Sequence, residues 1–151
     1  MKLPALDPQT VPEVRGSLYP EPFKSRMGER VKRRLGNACG LTKFGVNLVT
    51  LGPGGQSALR HWHTLEDEFV YVLEGELILV TQAGEQKLSA GMCAGYPAGK
   101  DDAHHFINRS QQPAKYLEIG SRIEEDTAFY PDDDLMWVEK GVAAHKDGRR
   151  Y

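Results

Sequence analysis

The sequence predicts an all-β fold, a barrel or a sandwich, on two observations. Short apolar runs follow one another quickly, and many of the 16 glycines fall between them where turns are needed. Strands are expected at residues 44–51, 61–63, 68–73, 76–81, 86–88, 92–96, 104–108 and 115–121. Six of the eight end at a breaker: Gly52-Pro53-Gly54-Gly55, Glu74-Gly75, Ala83-Gly84-Glu85, Ala90-Gly91, the loop from Pro97, or Ser110 to Pro113. Many short strands with glycine-rich turns cannot build helical layers, so the architecture is a closed or two-layered sheet. The 151 residues suit one domain with its own core.

Two segments flank the barrel, which is expected over residues 37–121. Residues 1–36 are expected to form an arm, because Pro4, Pro8, Pro12, Pro20 and Pro22 forbid a continuous helix or a central strand. Its second half is basic, with Lys24, Arg26, Arg30, Lys32, Arg33 and Arg34. It lacks the aromatic stacking surface or helix-turn-helix that nucleic acid binding would need, so a solvated edge or a contact with an acidic partner subunit is expected. Residues 122–151 form a C-terminal extension. Its acidic triplets, Glu124-Glu125-Asp126 and Asp132-Asp133-Asp134, lack the alternating spacing of a calcium loop and are expected to be solvated turns. Leu135, Met136, Trp137 and Val138 are expected to pack on the barrel wall or on a second subunit.

Composition excludes several functions. A formal charge of −2 creates no global field for nucleic acid or an anionic membrane. No apolar run approaches the roughly 18 residues of a membrane span, and the proline-rich start has no signal-peptide core, so a cytoplasmic location is expected. Cys39 and Cys93 form no CxxC pair and are expected to be reduced thiols.

The chemistry concentrates in residues 55–75. His61 and His63 are two apart on a strand and share a face, with Trp62 pointing the other way. Two imidazoles on one strand face can chelate a single cation. The polar Thr64-Leu65-Glu66-Asp67 turns the chain, and a new strand can bring Glu68 back to them, while Val70 and Val72 follow on the same face as barrel core. A later partner is expected from His104-His105: His104 shares its face with Phe106 and Asn108, and His105 points outward. Glu66 and Asp67 are expected to be solvated.

These residues carry a resemblance to the cupin superfamily. Gly55, His61, His63, Glu68 and Gly75 match its first motif, Gly-x5-His-x-His-x4-Glu-x6-Gly, without a gap. Gly91, Pro97, Gly99, His104 and Asn108 resemble its second motif, Gly-x5-Pro-x-Gly-x2-His-x3-Asn, with four residues instead of two between Gly99 and His104. The three residues separating His104 from Asn108 favour His104 over His105. The resemblance implies a double-stranded β-helix, the cupin or jelly-roll barrel, with N- and C-terminal extensions. Longer phrases are similar to those of small stand-alone bacterial cupins labelled sugar-phosphate-isomerase-like: Glu-Asp-Glu-Phe-Val-Tyr-Val-Leu-Glu-Gly-Glu from Glu66, His-His-Phe-Ile-Asn-Arg-Ser from His104, Tyr-Leu-Glu-Ile-Gly-Ser-Arg from Tyr116 and Tyr-Pro-Asp-Asp-Asp-Leu from Tyr130.

The expected metal ligands are therefore His61, His63, Glu68 and His104. Three imidazoles and a carboxylate suit one divalent transition metal among zinc, manganese, iron, nickel, cobalt and copper, and leave positions open for a guest. Candidate substrate contacts are Asn47, a polar residue in an apolar strand; Tyr96, ahead of the Pro97 loop; and Phe106, on the His104 face. Glu118 is expected to face outward, with Leu117 and Ile119 inside, and Arg60 and Arg109 are expected to face away from the ligands. The leading functional expectation is a metal-dependent enzyme acting on a small polar substrate such as a sugar or sugar phosphate, in an isomerisation whose base the sequence does not identify. An iron-dependent dioxygenase and a non-catalytic small-molecule sensor are the alternatives, and a homodimer is expected.

Overall fold

The computed structural model describes residues 4–151, so the first three residues of the expected arm lie outside the described part. The strands in chain order are β1 (Glu13–Arg15), β2 (Arg30–Arg33), β3 (Phe44–Leu51), β4 (Trp62–His63), β5 (Glu68–Glu74), β6 (Glu76–Thr81) and β7 (Gly84–Ser89). They continue with β8 (Cys93–Tyr96), β9 (His105–Ile107), β10 (Ala114–Ser121), β11 (Ala128–Phe129), β12 (Met136–Glu139) and β13 (Val142–Ala144). The helices α1 (Phe23–Arg26) and α2 (Leu35–Ala38) are single turns. Among the described residues no helix is long and apolar enough to cross a membrane.

A six-stranded sheet in the order β1-β2-β3-β10-β5-β8 faces a core shared with a three-stranded sheet, β7-β6-β9. Val49 and Leu51 of β3, Val70 and Val72 of β5 and Tyr116 of β10 alternate inward, as the two-residue period of a strand requires. Leu77 and Leu79 of β6 and Phe106 of β9 meet them from the smaller sheet. The β5–β6 hairpin turns at Gly75, whose φ of +76° suits glycine. A Cβ there would lie 2.8 Å from the Pro113 carbonyl oxygen, so no other residue fits without displacing backbone.

The segment expected as an extended arm supplies two strands of the large sheet, because β2 pairs with β3 along its whole length. Four of the six basic side chains in its second half are spent inside the molecule: Arg26 on Asp133, Lys32 on Glu118, Arg33 on Glu13, and Arg30 on the carbonyls of Ser57 and Gly16. Phe23 and Met27 of this segment form a second core with Leu59, Tyr130 and Leu135, and Trp137 packs against it. The apolar patch near residue 135 is thus covered in part by the N-terminal segment of the same chain.

Strand β10 requires a correction. Leu117 and Ile119 do not face inward; Tyr116 is 1% exposed in the core and Glu118 points with it into the barrel. Leu117 pairs with Tyr71 and Leu48, and Ile119 with Phe69 and Val46, on the outer face. That outer face is itself apolar, so hydrophobic alternation offered no contrast by which to choose the inner one.

Candidate metal centre

Four side chains from three parts of the chain converge at one end of the barrel. His63 lies in β4, Glu68 opens β5, and His61 and His104 face each other across an isolated antiparallel bridge held by two backbone hydrogen bonds of 3.2 and 2.9 Å. The Nε2 atoms of all three histidines point at the Glu68 carboxylate, at 3.7 Å for His61, 3.6 Å for His63 and 3.1 Å for His104. The imidazole rings of His63 and His104 lie 5.0 and 5.1 Å from that of His61.

The other ring nitrogens of His61 and His63 are turned away and used, whereas His104 Nδ1 is buried with no partner among the described residues. His61 Nδ1 lies 2.7 Å from the Leu59 carbonyl, and His63 Nδ1 lies 2.5 Å from Asp126 Oδ2. A carbonyl can only accept, so Nδ1 of His61 donates to it and Nε2 is the nitrogen left to face Glu68. Asp126 does the same for His63. Its other oxygen accepts from the Leu65 and Glu66 amides at 2.8 and 3.1 Å, fixing the turn that leads into Glu68. Tyr96 lies flat on the His104 ring, with centroids 3.4 Å apart.

Glu68 Oε2 is buried without a hydrogen-bond partner among the described residues, although a carboxylate is costly to bury unpaired. Burial alone would raise the Glu68 pKa; His104 and His61 outweigh it and hold the carboxyl well below the usual range. Burial lowers the pKa of His104 despite Glu68, whereas at His61 the carboxylate overcomes burial and the pKa is raised. Inward-facing Nε2 atoms around an ionised carboxylate fit a divalent transition metal, which would take the place of the protons they now present to Glu68, and His61, Glu68 and His104 bring ligand atoms within 4.8 Å of one another. Bound there, such an ion would supply Lewis acidity to a carbonyl or hydroxyl oxygen.

The cluster opens onto a cavity of about 670 Å³. Asn47, Glu118 and Gly120 line it from the large sheet, Tyr130 and Trp137 from the C-terminal segment, and Arg34, Arg122 and Lys140 also border it. Gly120 pairs with Glu68, and its missing side chain leaves the space beside that carboxylate open. A smaller pocket of about 180 Å³ shares His63, Glu66 and Glu68 with it and adds Tyr96 and His104.

The other expected site residues fall differently. Asn47 borders the large cavity and donates to Glu118 at 3.0 Å. Tyr96 borders the small pocket. The expectation for Phe106 is corrected: it is 3% exposed, belongs to the apolar core and borders neither cavity. It shares the His104 face but lies two residues, about 7 Å, further along the strand toward the closed end. His105 turns to the opposite side, where its Nδ1 contacts Gln56 and Ala58. Arg60 pairs with Asp132 and Arg109 with Glu85. Sequence reasoning missed Glu118, Lys32, Tyr130 and Asp126. The useful signal for Glu118 was Asn47: a polar residue in an apolar strand needs a polar neighbour on its own face. No local signal marks Asp126, which meets His63 from 63 residues away.

Comparison with known proteins agrees with this geometry. Residues 47–120 match the cupin domain family. A crystal structure of a cupin-superfamily sugar phosphate isomerase from Silicibacter pomeroyi is 42% identical, with a TM-score of 0.90 over 98% of this chain and 96% of that one. A sugar phosphate isomerase candidate from Acidithiobacillus ferrooxidans is 29% identical, with a TM-score of 0.69 over 82% and 74% of the two chains. The polyketide cyclase RemF from Streptomyces resistomycificus, at 22% identity and a TM-score of 0.63 over 80% of each chain, shares the fold. A search of curated proteins finds no match. With 42% identity across nearly all of both chains and the family match over the barrel, this chain belongs to the cupin superfamily.

Proposed function

We propose that the protein is a metal-dependent enzyme that interconverts an aldose and a ketose, with a sugar phosphate as substrate. One observation carries the reading: His61, His63 and Glu68 of the candidate ligand cluster line a cavity large enough for a small sugar, and cations border that same cavity. Arg34 and Lys140 make no ion pair among the described residues, and Arg122 is held by the Leu41 carbonyl and the Asn37 side chain. A phosphate would complement these charges, while adjacent oxygens of the sugar reach toward the ligand cluster. The sugar phosphate isomerase name of the Silicibacter pomeroyi relative agrees with this assignment.

The test is anaerobic reconstitution of the apoprotein with zinc, manganese, iron, nickel, cobalt or copper, followed by assay against aldose and ketose phosphates. Conversion without oxygen is the expected result. Activity that needs both iron and oxygen would assign a dioxygenase instead, and ligand binding without turnover under every metal would assign a sensor.

We also propose a homodimer formed through the outer face of the six-stranded sheet. Phe69, Tyr71 and Leu73 are 38–40% exposed there, beside Leu117 and Ile119. Light scattering should give twice the chain mass, and Tyr71→Glu should shift it toward the monomer.

A further inference from the structure

A carboxylate in the cavity remains unexplained by the metal cluster. Glu118 is directed inward on β10, opposite Val70 on one side and Asn47 on the other, two residues along from the Gly120 that pairs with Glu68. Its side chain keeps 26% of its surface exposed while bordering the cavity. A barrel needing only stability would place an apolar residue here, as the neighbouring Val70 does.

The hydrogen bonds to this carboxylate are one-sided. Lys32 Nζ donates to Oε2 at 2.7 Å and Asn47 Nδ2 donates to the same oxygen at 3.0 Å. Oε1 has no partner among the described residues. The two donors come from adjacent strands, β2 and β3, so the carboxylate is clamped by the sheet rather than by a mobile loop. The other carboxylates bordering the cavity are already engaged: Glu68 faces the three imidazoles, and Glu66 Oε1 accepts from the Ile123 amide at 2.7 Å.

We propose that Glu118 carries the proton between adjacent carbons of the substrate, with Lys32 and Asn47 as its positioning residues; this rests on the isomerase reading above. Oε1 takes the proton from the carbon next to the sugar carbonyl. The C–H electron pair becomes the carbon–carbon double bond of an enediolate, and the carbonyl π pair moves onto its oxygen. Glu118 then returns the proton to the former carbonyl carbon, and a proton moves between the two sugar oxygens to complete the isomer. Atoms and electrons balance with no further reactant. Lys32 and Asn47 hold Oε2 throughout, so the free oxygen stays aimed into the cavity.

The test uses metal-loaded full-length protein in deuterated water with ribose 5-phosphate, glucose 6-phosphate, mannose 6-phosphate and their ketose partners. Deuterium entry beside the carbonyl is followed by NMR. Glu118→Gln keeps an acceptor for Lys32 and Asn47, and the double variant Lys32→Met with Glu118→Gln removes the charge pair together in case an unpaired lysine impairs folding. The wild type is expected to exchange with at least one sugar phosphate. Both variants should lose about 100-fold or more of that rate while retaining the wild-type metal content and binding of inorganic phosphate. Exchange at the wild-type rate in either folded variant would overturn the role of Glu118 and leave the isomerase reading standing. Conversion by the wild type without deuterium entry would likewise overturn the role of Glu118 and leave the isomerase reading standing, whereas neither conversion nor exchange with any of these sugars would overturn both.

Discussion

The two ends of the barrel interior are built from the same strands and obey opposite rules. Toward the closed end, Val72 of β5 pairs with Tyr116 of β10, and both are at most 1% exposed among leucines. Two to four residues further along the same pair of strands, Glu118 and Glu68 occupy the inner face, with Gly120 where a side chain would fill the space. The closed end stabilises by removing apolar surface from water. The open end keeps ionised and orphaned groups that cost stability and have a use only when something binds. The contrast separates residues whose loss should unfold the protein from residues whose loss should empty its site.

The largest effect is expected at the ligands. His61→Ala or His104→Ala should reduce metal affinity by more than the roughly 100-fold typical of an outer partner, because an imidazole facing Glu68 is removed outright. Equilibrium dialysis with metal analysis would show it. Retention of wild-type affinity by both variants would erase the functional distinction between the two ends.

Leu77→Ala belongs to the other side of the contrast. Leu77 is 1% exposed in the barrel core, so the cavity left behind should cost about 2–5 kcal/mol in urea unfolding. Metal affinity measured well below the unfolding midpoint should not change, since no ligand rests on Leu77 directly.

A subtler effect is expected at Asp126. Asp126→Asn keeps the shape but weakens the acceptor for His63 Nδ1, and metal affinity should fall by about 10–100-fold with little change in unfolding midpoint. An unchanged affinity would mean that the His63 ring is oriented by packing alone.

The smallest effect is expected at the Lys32–Glu118 pair within the open end. Burial opposes ionisation of Glu118, but Lys32 and Asn47 outweigh it and hold its pKa below the ordinary value. A carboxyl with a depressed folded-state pKa contributes stability above its unfolded pKa and loses it as the pH falls through the folded one. Lys32→Met should therefore cost on the order of 1–2 kcal/mol at neutral pH. The difference from wild type should shrink once the pH drops below the ordinary glutamate range. A pH-independent difference in urea unfolding would assign the effect to lost packing of the lysine stem.

Much of this contrast was legible in the sequence, and its limits are physical. The spacing of His61, His63 and Glu68 follows from strand parity and one tight turn, both local properties, and the structure brings the three groups together with His104. Strand β3 matches its expected span, 44–51, because Gly52-Pro53 ends it sharply. The face of β10 was not legible, since Leu117 and Ile119 lie on an outer surface as apolar as the core. The prolines of the arm argue for an extended path, yet Arg30–Arg33 contains no proline and finds the free edge of β3. Asp126 looked like part of a solvated acidic turn because its partner is distant in sequence, and only the folded chain places it behind His63.

We propose that the open end binds one transition metal through three imidazole nitrogens and the Glu68 carboxylate. X-ray absorption at the metal edge of the loaded protein tests it most directly. Nitrogen and oxygen neighbours with the multiple-scattering signature of three imidazoles, at one ion per chain, are expected. A spectrum with sulfur neighbours, or with an all-oxygen shell lacking imidazole scattering, would contradict it.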